Sequence, residues 1–580
     1  MIVMNFMSRY KDWLLSDYFD EETKSELQEI EDDEEEIEDR FYKDLDFGTG
    51  GLRGKIGAGT NRMNQYTVRK ATQGLANYII NYREDGREKG VVIAYDSRHK
   101  SPEFAEEAAL VLNGNEIKTY LFDELKPTPE LSFAVRELDA VAGIVITASH
   151  NPPEYNGYKV YGEDGGQAVP EKARKITAEI EEIDDYSLVK RIKKEEAEEE
   201  GLFHIIGDEV DQRYREELKK AVPERELCQN QGEELSIIYT PLHGTANKPV
   251  QNVLAELGFD NLNVIEKQAE PDSDFPTVES PNPEKRSSFD MALAEAEEEN
   301  PDIIMGTDPD GDRMGLVVKN DEDEYICLNG NQTGVLLANY ILERTEVPEN
   351  GVIVKTIVTT EMVTEIASAY DLEVQDVLTG FKYIGEKINE FQESGDKSFI
   401  FGFEESYGYL AGTHVRDKDA VVACALAASM ALYYKENGLS IYEKLMDLYD
   451  KYGYYLEDLD SIRLEGKEGQ EKIDGVLKMM REEKVDKIAE RKVVQFSDYL
   501  QGYSYDVEAD EKEDIDLPES NVLQFKLNDN SIITIRPSGT EPKLKIYFAV
   551  NAEKRKEAAE DLEEIKRYVL NEVREMLKEL

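Results

Sequence analysis

Residues 235–265 read LSIIYTPLHGTANKPVQNVLAELGFDNLNVI. An apolar run ending at Thr240, a loop containing Pro and Gly, an amphipathic stretch and a second apolar run follow one another within the length of one β-loop-α-β unit. Such units build sheets of mostly parallel strands with helices covering both faces. The rhythm recurs. VVIAYDSRH (91–99) and SPEFAEEAALVLN (101–113) read as a buried strand, a loop and a helix, with Ser101 as N-cap and Pro102 at the first helical position. GIVITASHNPP (143–153) is a strand running into a loop, and GVIVKTIVTTEMVTEIASAYDLEV (351–374) repeats strand, loop, helix and strand. In PDIIMGTDPDGDRMGLVV (301–318) a tight acidic turn joins two apolar strands.

The last portion differs in kind. SIITIRPSGTEPKLKIYFAV (531–550) joins two β-rich runs through a polar turn and leads into a long helix over 552–580. The expected fold class is therefore α/β: three α/β domains with mixed, largely parallel sheets, followed by a C-terminal α+β domain. The charged stretch 505–520 reads as a loop or connector, and the acidic run 20–40 as a solvated helical face. The domains are expected at 1–212, 213–322, 323–455 and 456–580, which suits a chain of 580 residues.

Composition narrows the partners. Acidic residues number 125 against 68 basic ones, a formal charge of −57, spread along the whole chain. This surface repels nucleic acid and anionic membranes, so neither is an expected partner, and no obligate protein partner is implied. A hydrophobic fraction of 40% still supplies real cores. No apolar stretch spans a bilayer and the start MIVMNFMSRYKDW lacks signal-peptide features, so a cytoplasmic protein is expected. Cys228, Cys327 and Cys424 are too scattered for a disulfide framework or a zinc site and read as small buried apolar residues.

Five loops carry residues capable of chemistry. TASHNPP (147–153) lacks the GxSxG flanks of a hydrolase elbow, which leaves Ser149 as part of a polar turn or as a covalent phosphoryl carrier at a strand's C-terminal end. Adjacent side chains such as Ser149 and His150 are expected to point different ways. GTDPDGDRMG (306–315) gathers Asp308, Asp310 and Asp312, hard oxygen ligands suited to Mg²⁺. An EF-hand is excluded, because counting from Asp308 puts Arg313 and Lys319 at positions six and twelve. FGFEESYGYL (401–410) offers Glu404 and Ser406 as partners for sugar hydroxyls. RPSGTEPK (536–543) offers Arg536, Ser538, Gly539 and Thr540 as an anion nest, with a plain hairpin turn as the alternative. DFGTGGLRGKIG (46–57) fits neither a P-loop nor GxGxxG and presents Arg53, with Lys55 beside it, to a cleft.

Together, in order, these loops resemble the α-D-phosphohexomutases, the family of phosphoglucomutase and phosphomannomutase. TASHNPPEYNGYK (147–159) resembles the phosphoserine loop, DPDGDR the magnesium loop, GFEESYG the sugar loop and RPSGTEPK the phosphate-binding loop. FGTGGLRG (47–54), PLHG (241–244) and TGFKYIGEKI (379–388) resemble the longer phosphoglucomutase-like branch, in which phosphopentomutases also occur. The resemblance implies four domains around a central cleft and a phosphorylated Ser149. It implies Mg²⁺ held by Asp308, Asp310, Asp312 and a phosphoserine oxygen, with Lys159 as general acid/base. Arg53, His150 and Arg313 would surround the transferring group, and Lys382 would join Glu404 and Ser406 at the sugar. The implied reaction interconverts glucose 1-phosphate and glucose 6-phosphate, with glucose 1,6-bisphosphate as intermediate and activator. Mannose or pentose phosphates are the alternative substrates, and a noncatalytic sugar-phosphate or metal-binding protein is the alternative class.

The charge of −57 also reads as adaptation to a salty cytoplasm. Added KCl shortens the reach of acidic self-repulsion from about 10 Å at 0.1 M to about 3 Å at 1 M, so the melting temperature should rise across that range. Apparent substrate affinity should fall over the same range, because the ions also screen Arg536 from substrate phosphate. A flat or falling melting curve removes the salt-adaptation reading.

Overall fold

The computed structural model describes residues 6–48, 50–464, 466–482, 485–538 and 543–580. The chain forms two compact units. The first comprises Met1–Gly330, Phe381–Gly402 and Ser406–Gly438, and the second Asn331–Gly380, Phe403–Glu405 and Leu439–Leu580.

The first unit holds two sheets. In the six-stranded one the order is Gly51–Lys55, Tyr155–Gly162, Ala142–Ile146, Val91–Tyr95, Thr119–Phe122 and Phe203–Ile206. The last four run parallel, and the two at the other edge pair antiparallel. All five residues of Ala142–Ile146 are buried, as a strand covered on both faces requires. Because Val91–Tyr95 and Ala142–Ile146 are parallel neighbours, the loops that follow them leave the same edge of the sheet. Ligands of α/β sheets bind beyond the carboxyl ends of the strands.

The five-stranded sheet has the order Tyr325–Cys327, Met314–Lys319, Ile303–Thr307, Ile237–Thr240 and Leu262–Val264. Ile237–Thr240 pairs parallel with both neighbours, as the opening stretch predicts, while Ile303–Thr307 and Met314–Lys319 form the antiparallel arms of the acidic turn. Helix Ala420–Glu436 is apolar nearly all round and packs on both of those arms and on helix Asn247–Leu257. Such a helix has to be buried. Its N-cap, Asp419, accepts the amides of Val421 and Val422, which fixes where the preceding Lys418 emerges.

In the second unit Gly351–Thr356 pairs parallel with Glu373–Val377. The C-terminal sheet is antiparallel, and helices Gly466–Glu482 and Arg555–Glu579 contribute to a core with Leu523, Phe525, Ile533, Ile535, Leu544 and Ile546. One oxygen of Glu457, on the strand Tyr454–Arg463, is buried without a hydrogen-bond partner. Burial pushes this carboxyl up to about 7, against hydrogen bonds from Thr360 and Asn331. The folded chain thus keeps a proton that an ordinary Glu loses near 4.5, and the associated stability is full below that pH and lost as pH rises through 7. Glu457→Gln, a mimic of the protonated form, should raise the melting temperature at pH 8 and leave it nearly unchanged at pH 4.5. Equal shifts at both pH values contradict this.

Three expectations need correction. Ser101 is the first residue of helix Ser101–Gly114, whose cap position is Lys100 in the left-handed region, and the Ser101 hydroxyl donates to Asp96 at 2.7 Å. The stretch 505–520 includes part of a hairpin, Tyr503–Asp506 with Glu511–Asp514. Glu511–Asp514 is charged and exposed and Tyr503–Asp506 is half-buried, so no apolar alternation marks the pair, and Lys512 sits 3.7 Å over the Tyr503 ring. The acidic run 20–40 is solvated on one side only, because Leu27 and Ile37 are buried, with Phe41 just beyond it, against Tyr10, Trp13, Phe19 and Tyr66. Among the described residues no helix is long and apolar enough to cross a membrane. Cys228 and Cys424 are buried, while Cys327 is only partly so.

Candidate active site

Beyond Ile146 the chain turns sharply. The Ser149 amide donates to the Thr147 hydroxyl at 2.8 Å, and Ser149 itself adopts φ 53, a left-handed conformation uncommon for a serine. Its side chain is 5% exposed rather than open to solvent. Oγ donates to Asp308 Oδ2 at 3.1 Å and lies 3.3 Å from His150 Nδ1. The left-handed turn therefore brings together two side chains that the sequence reading separated. Burial, reinforced by Arg313 and Arg53, holds His150 well below its usual value, so the ring is neutral at pH 7.

Asp308, Asp310 and Asp312 occupy the turn between Ile303–Thr307 and Met314–Lys319, at 0%, 0% and 1% exposure. One carboxylate oxygen from each lies within 4.8 Å of the others. Neighbouring segments hold the turn through its carbonyls: Thr128 N–H donates to Asp310 O at 2.8 Å, Thr245 N–H to Pro309 O at 2.9 Å and Ala420 N–H to Gly311 O at 3.3 Å. Gly311 has φ 65, and a Cβ there would stand 2.7 Å from Pro127 Cβ. Only glycine fits that position.

The charges are partly balanced within the site. Lys159, on the strand Tyr155–Gly162, donates to Asp310 Oδ2 at 2.9 Å, and Lys418 Nζ stands 2.9 Å from Asp312 Oδ2. Burial pushes Asp310 up, but Lys159 and Lys418 outweigh it and hold the carboxyl far below its ordinary range. Asp308 goes the other way, raised by burial and then by Asp312 and Asp310. Asp310 Oδ1 and Asp312 Oδ1 are buried with no hydrogen-bond partner. Two orphaned carboxylate oxygens within a set of three are a donor set that fits a hard divalent cation. Arg313 pairs with Glu284 and approaches Asp312 at 3.9 Å, while Arg53 donates to Asn151 Oδ1 at 3.3 Å.

The first unit thus gathers Ser149, His150, Lys159, the three aspartates, Arg313 and Arg53. Lys382, in the first turn of helix Phe381–Ser394, has its Nζ 5.2 Å from the Tyr383 ring centroid, and burial lowers its pKa. Ser406 is half-buried in the turn after strand Ser398–Glu404. In the second unit, Glu404 is 5% exposed and accepts the Gly380 amide at 3.0 Å. Arg536 donates to the Tyr547 hydroxyl from Nε at 3.4 Å and from a terminal nitrogen at 3.1 Å. Ser538 N–H donates to Lys543 O at 2.7 Å across the turn, and Gly539 and Thr540 lie outside the described residues.

The sequence reading missed Lys418. Its signal was the charged triplet Asp417–Lys418–Asp419 set directly before the apolar helix. Glu405 was also missed; it accepts from the hydroxyls of Thr356 and Thr359 at 3.4 and 3.5 Å.

A serine on a loop at the end of a buried strand, beside three buried aspartates that two lysines pair with, defines a class of phosphate-handling protein. Profiles described as phosphoglucomutase/phosphomannomutase α/β/α domains I, II and III match residues 44–187, 212–322 and 329–452, and that of the C-terminal domain matches 463–566. The chain belongs to the phosphoglucomutase/phosphomannomutase family. It is 37% identical to a phosphoglucomutase of Staphylococcus epidermidis over 552 residues, 95% of this chain and 96% of that one. The identity to a phosphoglucomutase of Staphylococcus haemolyticus is 36% over 558 residues, 96% and 98% of the two chains. Among solved structures, pp63/parafusin, a phosphoglucomutase from Paramecium in its open form, superposes with a TM-score of 0.68 at 18% identity, covering 92% of this chain and 96% of that one. A phosphoglucomutase/phosphomannomutase family protein from Burkholderia thailandensis gives 0.65 at 18%, covering 91% and 97%. These two likenesses show the fold.

Proposed function

We propose that this chain interconverts glucose 1-phosphate and glucose 6-phosphate, with Ser149 as the phosphoryl carrier. The observation that carries the reading is the Ser149 Oγ contact with Asp308, inside a cluster whose orphaned oxygens call for a cation. The near full-length identity to phosphoglucomutases supports glucose as the sugar.

In the forward half-reaction a P–O bond forms to the free sugar hydroxyl as the bond to Ser149 Oγ breaks. Lys159, an ammonium in its pair with Asp310, gives a proton to the departing Oγ and takes the hydroxyl proton in its place, so the half-reaction is proton-neutral. The resulting glucose 1,6-bisphosphate returns its other phosphate to Ser149 by the same events reversed, and it also primes enzyme that has lost its phosphate. Mg²⁺ held by Asp308, Asp310, Asp312 and a phosphoserine oxygen would neutralise charge on the moving group. Arg53 and Arg313 orient the transferring phosphoryl, and neutral His150 offers Oγ a hydrogen-bond partner without competing for its proton. Glu404, Ser406 and Lys382 are assigned to the sugar. Arg536, Ser538, Gly539 and Thr540 are assigned to the phosphate that does not react. We place the domain boundaries near 212, 322 and 455.

The deciding experiment is a coupled assay across glucose, mannose, ribose and glucosamine phosphates. A preference for mannose or ribose phosphates reassigns the sugar. No turnover of any of them, together with no phosphate on the Ser149 peptide after incubation with glucose 1,6-bisphosphate, leaves a binding protein. Arg536→Ala should raise KM for both 1-phosphate and 6-phosphate substrates by about 10- to 100-fold, the worth of one hydrogen-bond donor to a charged group. Loss of only one substrate contradicts a shared distal site.

A further inference from the structure

Arg98 has no place in that account, yet it is among the largest fully buried side chains, at 1% exposure. It sits in the loop after Val91–Tyr95, the parallel neighbour of the strand that leads to Ser149. Its guanidinium donates to four carbonyls of the Ser149 loop. One terminal nitrogen reaches Pro152 O at 2.8 Å and Tyr155 O at 3.0 Å; the other reaches Ser149 O at 2.5 Å and also Asn151 O. Asp96 Oδ2 stands 3.4 Å from Arg98 Nε, while Asp96 Oδ1 accepts the Arg98 amide at 2.9 Å and the Ser101 hydroxyl. Asn156 donates to Ser101 Oγ and to His99 O, both at 2.9 Å, and ties the two loops at their bases. The Phe275 ring covers the guanidinium at 5.1 Å.

This arrangement answers a local problem posed by the sequence. Pro152 and Pro153 carry no amide hydrogen, so Asn-Pro-Pro can satisfy few of its own carbonyls. A left-handed Ser149 costs about 1–2 kcal/mol relative to ordinary backbone, and persists only if its surroundings hold it. A guanidinium presents five donors in a rigid planar fork, which can bind two pairs of carbonyls at once. A lysine ammonium cannot span them.

We propose that Arg98 is a positioning residue for phosphoryl transfer: it fixes the backbone of residues 149–155 so that Ser149 Oγ faces Asp308, and it acts through those carbonyls alone. The inference rests on the reading of Ser149 as carrier. It assigns a function to DSRH (96–99), which the loop motifs leave unexplained.

Arg98→Lys keeps the charge beside Asp96 and loses the fork. It should lower kcat by about 10²-fold, in line with a small misplacement of a reacting group, while KM stays within about threefold. The rate at which glucose 1,6-bisphosphate labels Ser149, followed by intact mass, should fall with kcat, and the rise in melting temperature on adding MgCl₂ should stay as in the wild type. If Arg98→Lys does not fold, Asp96→Asn/Arg98→Met, which removes both buried charges together, carries the same measurements and the same expected split. Wild-type labelling and kcat in the folded variant overturn the inference. So does a parallel loss of kcat, KM and the MgCl₂ response, or failure of both variants to fold, since each makes Arg98 a general structural residue. A wild-type protein that is never labelled at Ser149 overturns the carrier reading instead, which separates the two failures.

Discussion

Ser149→Ala is expected to give a folded protein whose mutase turnover is lower by about 10⁴-fold or more, because a covalent carrier has no substitute among its neighbours. His150, the group 3.3 Å from Oγ, could accept a phosphoryl group only by replacing the serine's geometry with its own. The structural cost is not nil. Oγ is buried and donates to Asp308, so its loss leaves a buried carboxylate oxygen short of a donor, at about 1–2 kcal/mol. A melting temperature a few degrees lower is therefore consistent with a local effect. The informative comparison is with binding: the variant should still bind glucose 6-phosphate with near wild-type affinity, since Arg536 and the residues proposed to hold the sugar are untouched. Turnover within tenfold of wild type in a coupled assay would sink the carrier role.

The parts of the site legible in the sequence are those whose chemistry is local in the chain. Asp308, Asp310 and Asp312 alternate within one turn between two apolar runs, so the strands and the turn explain each other. Ser149 stands just past a buried strand, where α/β folds place their chemistry. Arg98 was not legible, because its partners are carbonyls 51–57 residues away, and carbonyls leave no trace in residue type. Lys418 follows the same logic: it meets Asp312 because helix Ala420–Glu436 packs on the strands of the aspartate turn, a tertiary event. The Ser149–His150 contact was misread for a different reason. Neighbouring side chains diverge in ordinary backbone, and nothing in the residue types announces φ 53. The hairpin at 503–514 escaped because Glu511–Asp514 is wholly exposed and Tyr503–Asp506 only half-buried, so neither strand imposes an apolar alternation.

The balance of charge in the aspartate turn leads to the second large effect. Lys159 pairs with Asp310 and Lys418 with Asp312, whereas Asp308 accepts the amides of Asp312 and Arg313 at 3.1 and 3.0 Å and the Ser149 hydroxyl. Asparagine at 308 keeps an oxygen for both amides and turns an NH₂ toward Ser149 Oγ, which can accept. Asp308→Asn therefore replaces the carboxyl that burial, Asp312 and Asp310 push toward its neutral form, and removes an anionic ligand from a set gathered within 4.8 Å without emptying its hydrogen bonds. Without metal the variant should melt no lower than the wild type, because like-charge repulsion is relieved. With MgCl₂ the order reverses. If losing one of three anionic ligands weakens binding about 100-fold, about 2.7 kcal/mol of metal-linked stabilisation goes with it, and turnover should fall by roughly 10²-fold or more. Thermal melts of both proteins over a MgCl₂ titration, paired with turnover at each concentration, test this directly. A turn that served only the fold would show the opposite pattern: a lower melting temperature in the metal-free variant and an unchanged response to MgCl₂. A variant that keeps the full MgCl₂ shift would place the cation somewhere other than Asp308.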